Sequence, residues 1–241
     1  MQKYFLNWII FYFITFIPNY SKGMSIDEVR VVTSYVRPFI VQNENGEISG
    51  VVIDRVKTLF NMLKINPKIE PYPWIRAINM CNKSPGMIIF PIAKTKEREE
   101  NLEYVGAIYN SRSYFYKLRA NEKQITITKL SDAKKYSIGV KRDDIRGYYL
   151  AKNNFQGLEI SKNSNTLVRK LLGKRVDIIL SSKEFVSAQL AEIGVDENSV
   201  VPIYEVKGID PGRYLALNKN TPKEIIEKFR NALKKLPPLE F

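Results

Sequence analysis

Histidine is absent from the 241-residue sequence, and cysteine occurs once, at Cys81. Without an imidazole, Ser-His-Asp and Cys-His nucleophilic catalysis fall away, and so does the commonest zinc ligand. A single thiol closes no internal disulfide, so core packing must hold the fold, which a chain of this length can supply. Cys81 ends the segment Ile75-Arg76-Ala77-Ile78-Asn79-Met80-Cys81, which has helical character, and a buried, inert thiol is expected there. No metal site and no cofactor is expected. A stretch rich in glycine, serine and proline that would tether two domains loosely is also missing.

Charge is abundant but one-sided. Lys and Arg number 38 against 25 Asp and Glu, a formal net charge of +13. The basic residues are scattered and no nucleic-acid motif accompanies them, so a solvated basic surface is expected and no nucleic-acid partner. In an exported protein such a surface also suits anionic lipid headgroups. Export is what the N-terminus predicts. Lys3 precedes an apolar, aromatic run over residues 4–17, Pro18 ends it, and Ser21 and Gly23 are small residues at a cleavage site. The run is shorter than the roughly 20 residues a membrane-spanning helix needs, which favours a cleaved signal peptide over residues 1–23. An uncleaved anchor is the alternative.

Beyond that segment, strand-like and helix-like patterns alternate. Val29-Arg30-Val31-Val32-Thr33 predicts a strand, and Ile53, Val56, Phe60 and Leu63 predict a helix that carries Asp54 in its first turn. Lys68 to Tyr72 is extended, a helix follows from Trp74 to about Asn82, and Gly86 to Phe90 predicts a strand buried on both faces. A second series begins with a strand from Ser113 to Leu118. Further strands are expected at Tyr136 to Val140, Leu158 to Ile160 and Val176 to Leu180. Helices are expected near Ile145, over Thr166 to Leu172 and over Phe185 to Ile193. Tyr214 to Leu217 is a late strand, and Thr221-Pro222 with Glu224 predicts a capping-box start to a helix reaching about Lys235. Two successive β-α-β-α-β sets imply an α/β protein of two lobes, each a mainly parallel sheet flanked by helices. Lobe 1 is placed at residues 24–110 with 212–241 returning to it, and lobe 2 at residues 111–211. Hinges are expected near Asn110 to Ser113 and in Gly208-Ile209-Asp210-Pro211-Gly212.

Five short motifs then follow one another at suitable distances: Tyr35-Val36-Arg37-Pro38-Phe39, Gly50 with Asp54, Pro73-Trp74-Ile75-Arg76-Ala77, Thr95-Lys96-Glu97-Arg98-Glu99, and Ala107-Ile108-Tyr109. Together they resemble the bacterial extracellular solute-binding proteins of family 3, receptors that feed amino-acid-type ABC transporters, over residues 28–235. The resemblance implies a type II periplasmic-binding fold that closes on its ligand. On the first lobe it implies an aromatic wall from Tyr35 or Phe39 and from Trp74, with Arg76 in the same motif. It also implies backbone contacts around Pro91 and Ala93, and a bidentate carboxylate grip by Arg98, which suits a planar guanidinium.

The second lobe departs from the family pattern. Small hydroxyl residues usually follow the Gly-Val strand, whereas Gly139-Val140 here precedes Lys141-Arg142-Asp143-Asp144. The acids there compete for the helix amides or cap the helix. The family's ammonium-binding Asp corresponds by spacing to Ser182. Arg142, Asp143 and Ser182 are the implied second-lobe contacts; an uncharged Ser grips an ammonium poorly, so a standard α-amino acid ligand is not assured, although Asp143 or Glu184 could substitute. The function expected is that of a periplasmic, monomeric binding protein, not an enzyme. It would capture a small polar ligand, an amino acid or related metabolite, between the two lobes and deliver it to an ABC transporter permease at the inner membrane. The rivals are a dehydratase-like enzyme on the same fold, with Asp143, Asp144 or Glu184 as general acid, and a sensory clamp with no transport role.

Overall fold

The computed structural model describes residues 23–120 and 124–241. The expected signal peptide lies outside the described residues except for Gly23. The first part of the chain forms strands β1 (Arg30–Thr33), β2 (Val41–Gln42), β3 (Ile48–Ser49), β4 (Ile69–Pro71), β5 (Met87–Ile92) and β6 (Leu102–Asn110), with helices α1 (Val51–Met62) and α2 (Trp74–Lys83). The middle part forms β7 (Tyr114–Leu118), β8 (Ile138–Lys141), β9 (Glu159–Ser161), β10 (Ile178–Ser181) and β11 (Val200–Glu205), with α3 (Ile145–Lys152), α4 (Ser164–Leu172) and α5 (Lys183–Glu192). The chain ends with β12 (Gly212–Asn218), α6 (Lys223–Lys234) and β13 (Leu239–Glu240).

Apart from the short antiparallel pair β2-β3, these strands make one six-stranded sheet, ordered β13-β6-β12-β5-β1-β4, and one five-stranded sheet, ordered β11-β7-β10-β8-β9. The two share a local plan. Each β-α-β-α-β run places its first strand in the middle, giving the parallel sets β4-β1-β5 and β9-β8-β10. An antiparallel strand from the other end of the chain segment then pairs with the last of each set, β12 with β5 and β7 with β10. The sheets are parallel where helices cross between strands, and antiparallel where the chain passes from one sheet to the other.

Each sheet is covered on both faces. Val31, Ile88 and Phe90 join the core under α1 and α6, while their neighbours Val32 and Ile89 join the core under α2. That split follows from the two-residue period of a strand, and it is why β5 is apolar at every position. In the second sheet Phe115, Ile178 and Leu180 pack with Leu150 of α3, while Tyr116 and Ile179 pack against α4 and α5.

Two local expectations differ. Thr221 does not cap α6; its hydroxyl accepts the Gly86 N–H at 2.9 Å, and Pro222 takes the cap position with no side-chain bond. A tertiary partner thus replaces the local one. Strands β6 and β11 carry no regular alternation of buried and exposed residues, and β11 and β12 pair across register shifts, so period-two patterning does not reveal them.

Two segments, residues 110–114 and 205–212, connect the sheets. They hydrogen-bond to each other: Ser111 N–H donates to the Pro211 carbonyl at 2.8 Å, and Val206 N–H donates to the Ser113 carbonyl at 2.8 Å. The two crossings thus run side by side, joined by backbone hydrogen bonds.

Candidate functional site

A cleft of about 580 Å³ lies between the sheets, within the range of small-molecule sites. Its walls are the loops that leave the carboxyl ends of parallel strands, where α/β proteins bind ligands. Tyr35 follows β1, Ala93 follows β5, Arg142 and Asp143 follow β8, and Lys162 follows β9. The first residues of α2, α3 and α4 also face it, adding the positive ends of their dipoles.

On the first-lobe side Arg98 opens a short 3-10 turn, Arg98–Glu100. One Nη donates to the Ala93 carbonyl at 2.8 Å, and the guanidinium carbon sits 5.7 Å from the centre of the Trp74 ring. Both contacts aim the side chain along the wall while leaving further N–H groups for a ligand. Tyr35 is 46% exposed, and Pro91 lines the cleft beside it.

On the other side the β8–α3 loop turns at Asp143, whose φ of +56° is one that Asp tolerates better than most residues. Asp144 caps α3, accepting the Arg146 N–H at 2.9 Å, and its two carboxylate oxygens each take the Arg146 guanidinium at 3.2 Å. Arg146, 3% exposed, also donates to Ser113 Oγ at 3.0 Å and to Ser111 Oγ at 3.3 Å. Ser111 in turn donates to Glu184. Burial pushes the Asp144 carboxyl up, but Arg146, Lys141, the Arg146 N–H and Arg213 together hold it below the usual carboxylate range. Arg213 is buried below the cleft and donates to the carbonyls of Asp210, Pro211 and Gly212. The floor of the cleft is therefore a charge network that ties α3 to the first crossing segment through Ser111 and Ser113, with Arg213 held by the carbonyls of the second.

Of the residues singled out in the sequence, Tyr35, Trp74, Pro91, Ala93, Arg98, Arg142 and Asp143 line the cleft. Three do not. Phe39 is 2% exposed and packs against Tyr109 and Phe241, because its loop folds back on the first core. Arg76 lies over the Tyr72 ring at 4.6 Å and, unlike its neighbours Trp74 and Ile75, is not part of the cleft lining. Ser182 is fully buried at the start of α5, and its hydroxyl has no hydrogen-bond partner. Phe185, one turn further along α5, reaches the cleft and also meets Phe39 edge-on at 5.7 Å. Sequence reasoning missed Arg37, Arg146, Lys162, Phe185, Gln189 and Arg213. For Lys162 a signal existed, since it sits between a strand end and the Asn163 cap of α4. Arg146 and Arg213 carried none.

Among the described residues there is no cluster of His, Cys, Asp and Glu able to hold a metal ion, and no helix is long and apolar enough to cross a membrane. Cys81 is buried, its thiol donates to the Met87 carbonyl at 3.4 Å, and burial pushes its pKa up to about 12.

Comparison of the sequence with curated proteins finds no match. Solved structures share the fold. A histidine kinase sensor domain with similarity to periplasmic binding proteins matches with a TM-score of 0.73 at 15% identity, covering 88% of this chain and 91% of that one. An ancestral arginine-binding protein bound to arginine matches with a TM-score of 0.68 at 20% identity, covering 86% and 91%. The substrate-binding protein of an amino acid ABC transporter matches with a TM-score of 0.66 at 20% identity, covering 86% and 92%. The sequence itself matches one family over residues 29–237, a span that takes in every strand but β13 and the whole cleft: the chain belongs to the bacterial extracellular solute-binding proteins, family 3.

Proposed function

We propose that this protein is exported to the periplasm, where as a monomer it captures a small polar ligand in the cleft and presents it to an ABC transporter permease. The observation that carries this reading is the placing of Arg98 and Trp74 on one wall and Arg142 and Asp143 on the other, with paired crossing segments behind them. A ligand that touches both walls binds the closed form better than the open one, and that difference in affinity is what shifts the equilibrium. Closure needs no bond to break, and the ligand leaves chemically unchanged.

The test is a thermal-shift screen of small metabolites on the chain lacking residues 1–23, with Arg98→Ala beside it. A ligand that binds only the folded state raises the melting temperature, by RT ln(1 + [L]/Kd) in free energy. Arg98→Ala removes charge-assisted hydrogen bonds and is expected to weaken a carboxylate ligand by roughly 10- to 100-fold. An unchanged shift in the variant would reject the role given to Arg98. Recovery of a chemically altered ligand would reject binding without turnover.

A second reading, a sensory clamp, is favoured by the likeness to the histidine kinase sensor domain. The two differ in their consequence for the cell. A transport receptor is required for uptake of its radiolabelled ligand, and a sensory clamp is dispensable for uptake.

A further inference from the structure

We propose that the ligand of this cleft is a small organic dianion, gripped by Arg98 on one wall and by Arg142 and Lys162 on the other. The inference rests on the capture reading above and concerns the charge of what is captured.

The cleft is rich in cations, and their partners decide which are available. Lys141 and Arg146 are both engaged by Asp144, and Arg213 is satisfied by backbone carbonyls. The side chains of Arg37, Arg142 and Lys162 line the cleft and make no hydrogen bond or ion pair with any described residue. Arg98 commits one Nη to Ala93 and leaves its other donors open.

The carboxylates are distributed the opposite way. Asp144 has both oxygens occupied by Arg146, and Glu184 is held through Ser111 without lining the cleft. Only Asp143 and Glu192 remain unpaired among the described residues of the lining. Four available cations thus face two available carboxylates, an excess of two among the unpaired groups of a cavity of about 580 Å³, and the engaged groups (Lys141, Arg146 and Arg213 with Asp144 and Glu184) are net positive as well. A ligand of charge −2 neutralises that excess; a cationic ligand adds to it.

The place where an ammonium would be gripped points the same way. Ser182 carries no charge, is fully buried at the start of α5 and does not line the cleft. That side of the cleft presents Arg142 and Lys162 beside the carboxylates Asp143 and Glu192. Dicarboxylates and phosphate monoesters share the required chemistry, two negative charges on a small polar body, and arginine forks suit either.

Isothermal titration calorimetry of the chain lacking residues 1–23 tests the idea, after dialysis from mild denaturant to strip any bound ligand. The probes are succinate, malonate, glycerol 3-phosphate, L-glutamate, L-glutamine and L-arginine. At least one of the first three should bind, at least tenfold more tightly than L-glutamine or L-arginine. Succinate or malonate ahead of glycerol 3-phosphate identifies the source as a dicarboxylate, and the reverse order a phosphate ester. For the probe that binds, Arg142→Ala and Lys162→Ala should each weaken affinity by roughly 10- to 100-fold. The melting temperature of the ligand-free protein should not move in either variant, since neither side chain has a hydrogen-bond or ion-pair partner among the described residues.

L-arginine or L-glutamine binding more tightly than every dianion overturns the charge assignment and leaves capture intact. L-glutamate ahead of the dianions by tenfold or more also overturns it, by showing that an ammonium is recognised. Silence from all six probes overturns it too. If, in addition, denaturing the protein as purified releases no small molecule, the capture reading falls with it.

Discussion

Replacing Asp144 with Asn should destabilise the protein far more than its near-isosteric change suggests. The Arg146 side chain is only 4% exposed and that of Asp144 13%, so the variant leaves a buried cation without its counter-ion. Breaking such a pair from one side costs about 3–5 kcal/mol, and the lower end applies here because Ser111 and Ser113 still accept from Arg146. With a urea m-value of about 2–3 kcal/mol/M, a loss of about 3 kcal/mol lowers the unfolding midpoint by roughly 1–1.5 M. Asn keeps the cap on α3, so Asp144→Ala should lose about 1 kcal/mol more. The pair Asp144→Asn with Arg146→Met should recover most of the loss, since it removes the stranded charge as well. Acid adds a sign. Arg146 and its neighbours hold the folded carboxyl below its unfolded value of about 3.9. Its contribution is therefore complete above that value and disappears as pH falls through the lower, folded value. Below about pH 4 the wild-type midpoint should fall more steeply than that of Asp144→Asn. Urea melts followed by circular dichroism measure all of this; an Asp144→Asn midpoint equal to wild type at pH 7 would refute the reasoning.

Other outcomes follow from single contacts. A Cβ at Gly50, where φ is +121°, would lie 2.2 Å from the Phe39 carbonyl oxygen, so Gly50→Ala should cost well over about 1 kcal/mol. Gly157, at φ +64° with open space around it, is the control, and equal melting temperatures for the two variants would contradict the steric argument. Cys81, with its pKa pushed up to about 12, should be inert to an aromatic disulfide reagent at pH 8, where roughly one thiol in 10⁴ is ionised, and should react once the protein is unfolded. Prompt reaction of the folded protein would contradict its burial. Phe185→Ala removes the edge-on contact with Phe39, worth about 0.5–1.5 kcal/mol, and should raise the radius of gyration of the ligand-free protein in small-angle scattering. An unchanged radius would show that this contact does not help hold the lobes together.

Several elements were legible before any coordinates. The doubly buried β5 follows from six consecutive apolar positions, and α1 and α2 from apolar residues at helical spacing. The repeated β-α-β-α-β order was enough to predict two sheets, and the lack of a flexible tether was enough to predict crossing strands. Residues 110–114 and 205–212 make those crossings, near the two places where hinges were expected. Arg98 and Trp74, singled out by their motifs, line the cleft, and Asp144 fulfils one of the two roles open to the acids after Val140 by capping α3.

Periodicity states which side of an element is buried, and the absence of histidine states which chemistry is missing; both are local properties of the chain. A cleft is not local. It is made of loop residues brought together from strand ends far apart in the chain, and their orientation is set by packing that no local pattern records. Phe39 illustrates the limit: an aromatic next to a cis Arg37-Pro38 bond could have faced the ligand, and the first core took it instead. Arg146 and Arg213 became the floor of the site only because the two crossing segments pass beside α3. The sequence alone thus determined the elements, their order and the absence of imidazole chemistry. The tertiary structure decided which charges are paired internally and which remain free, because pairing depends on distances between residues that sequence order leaves unspecified.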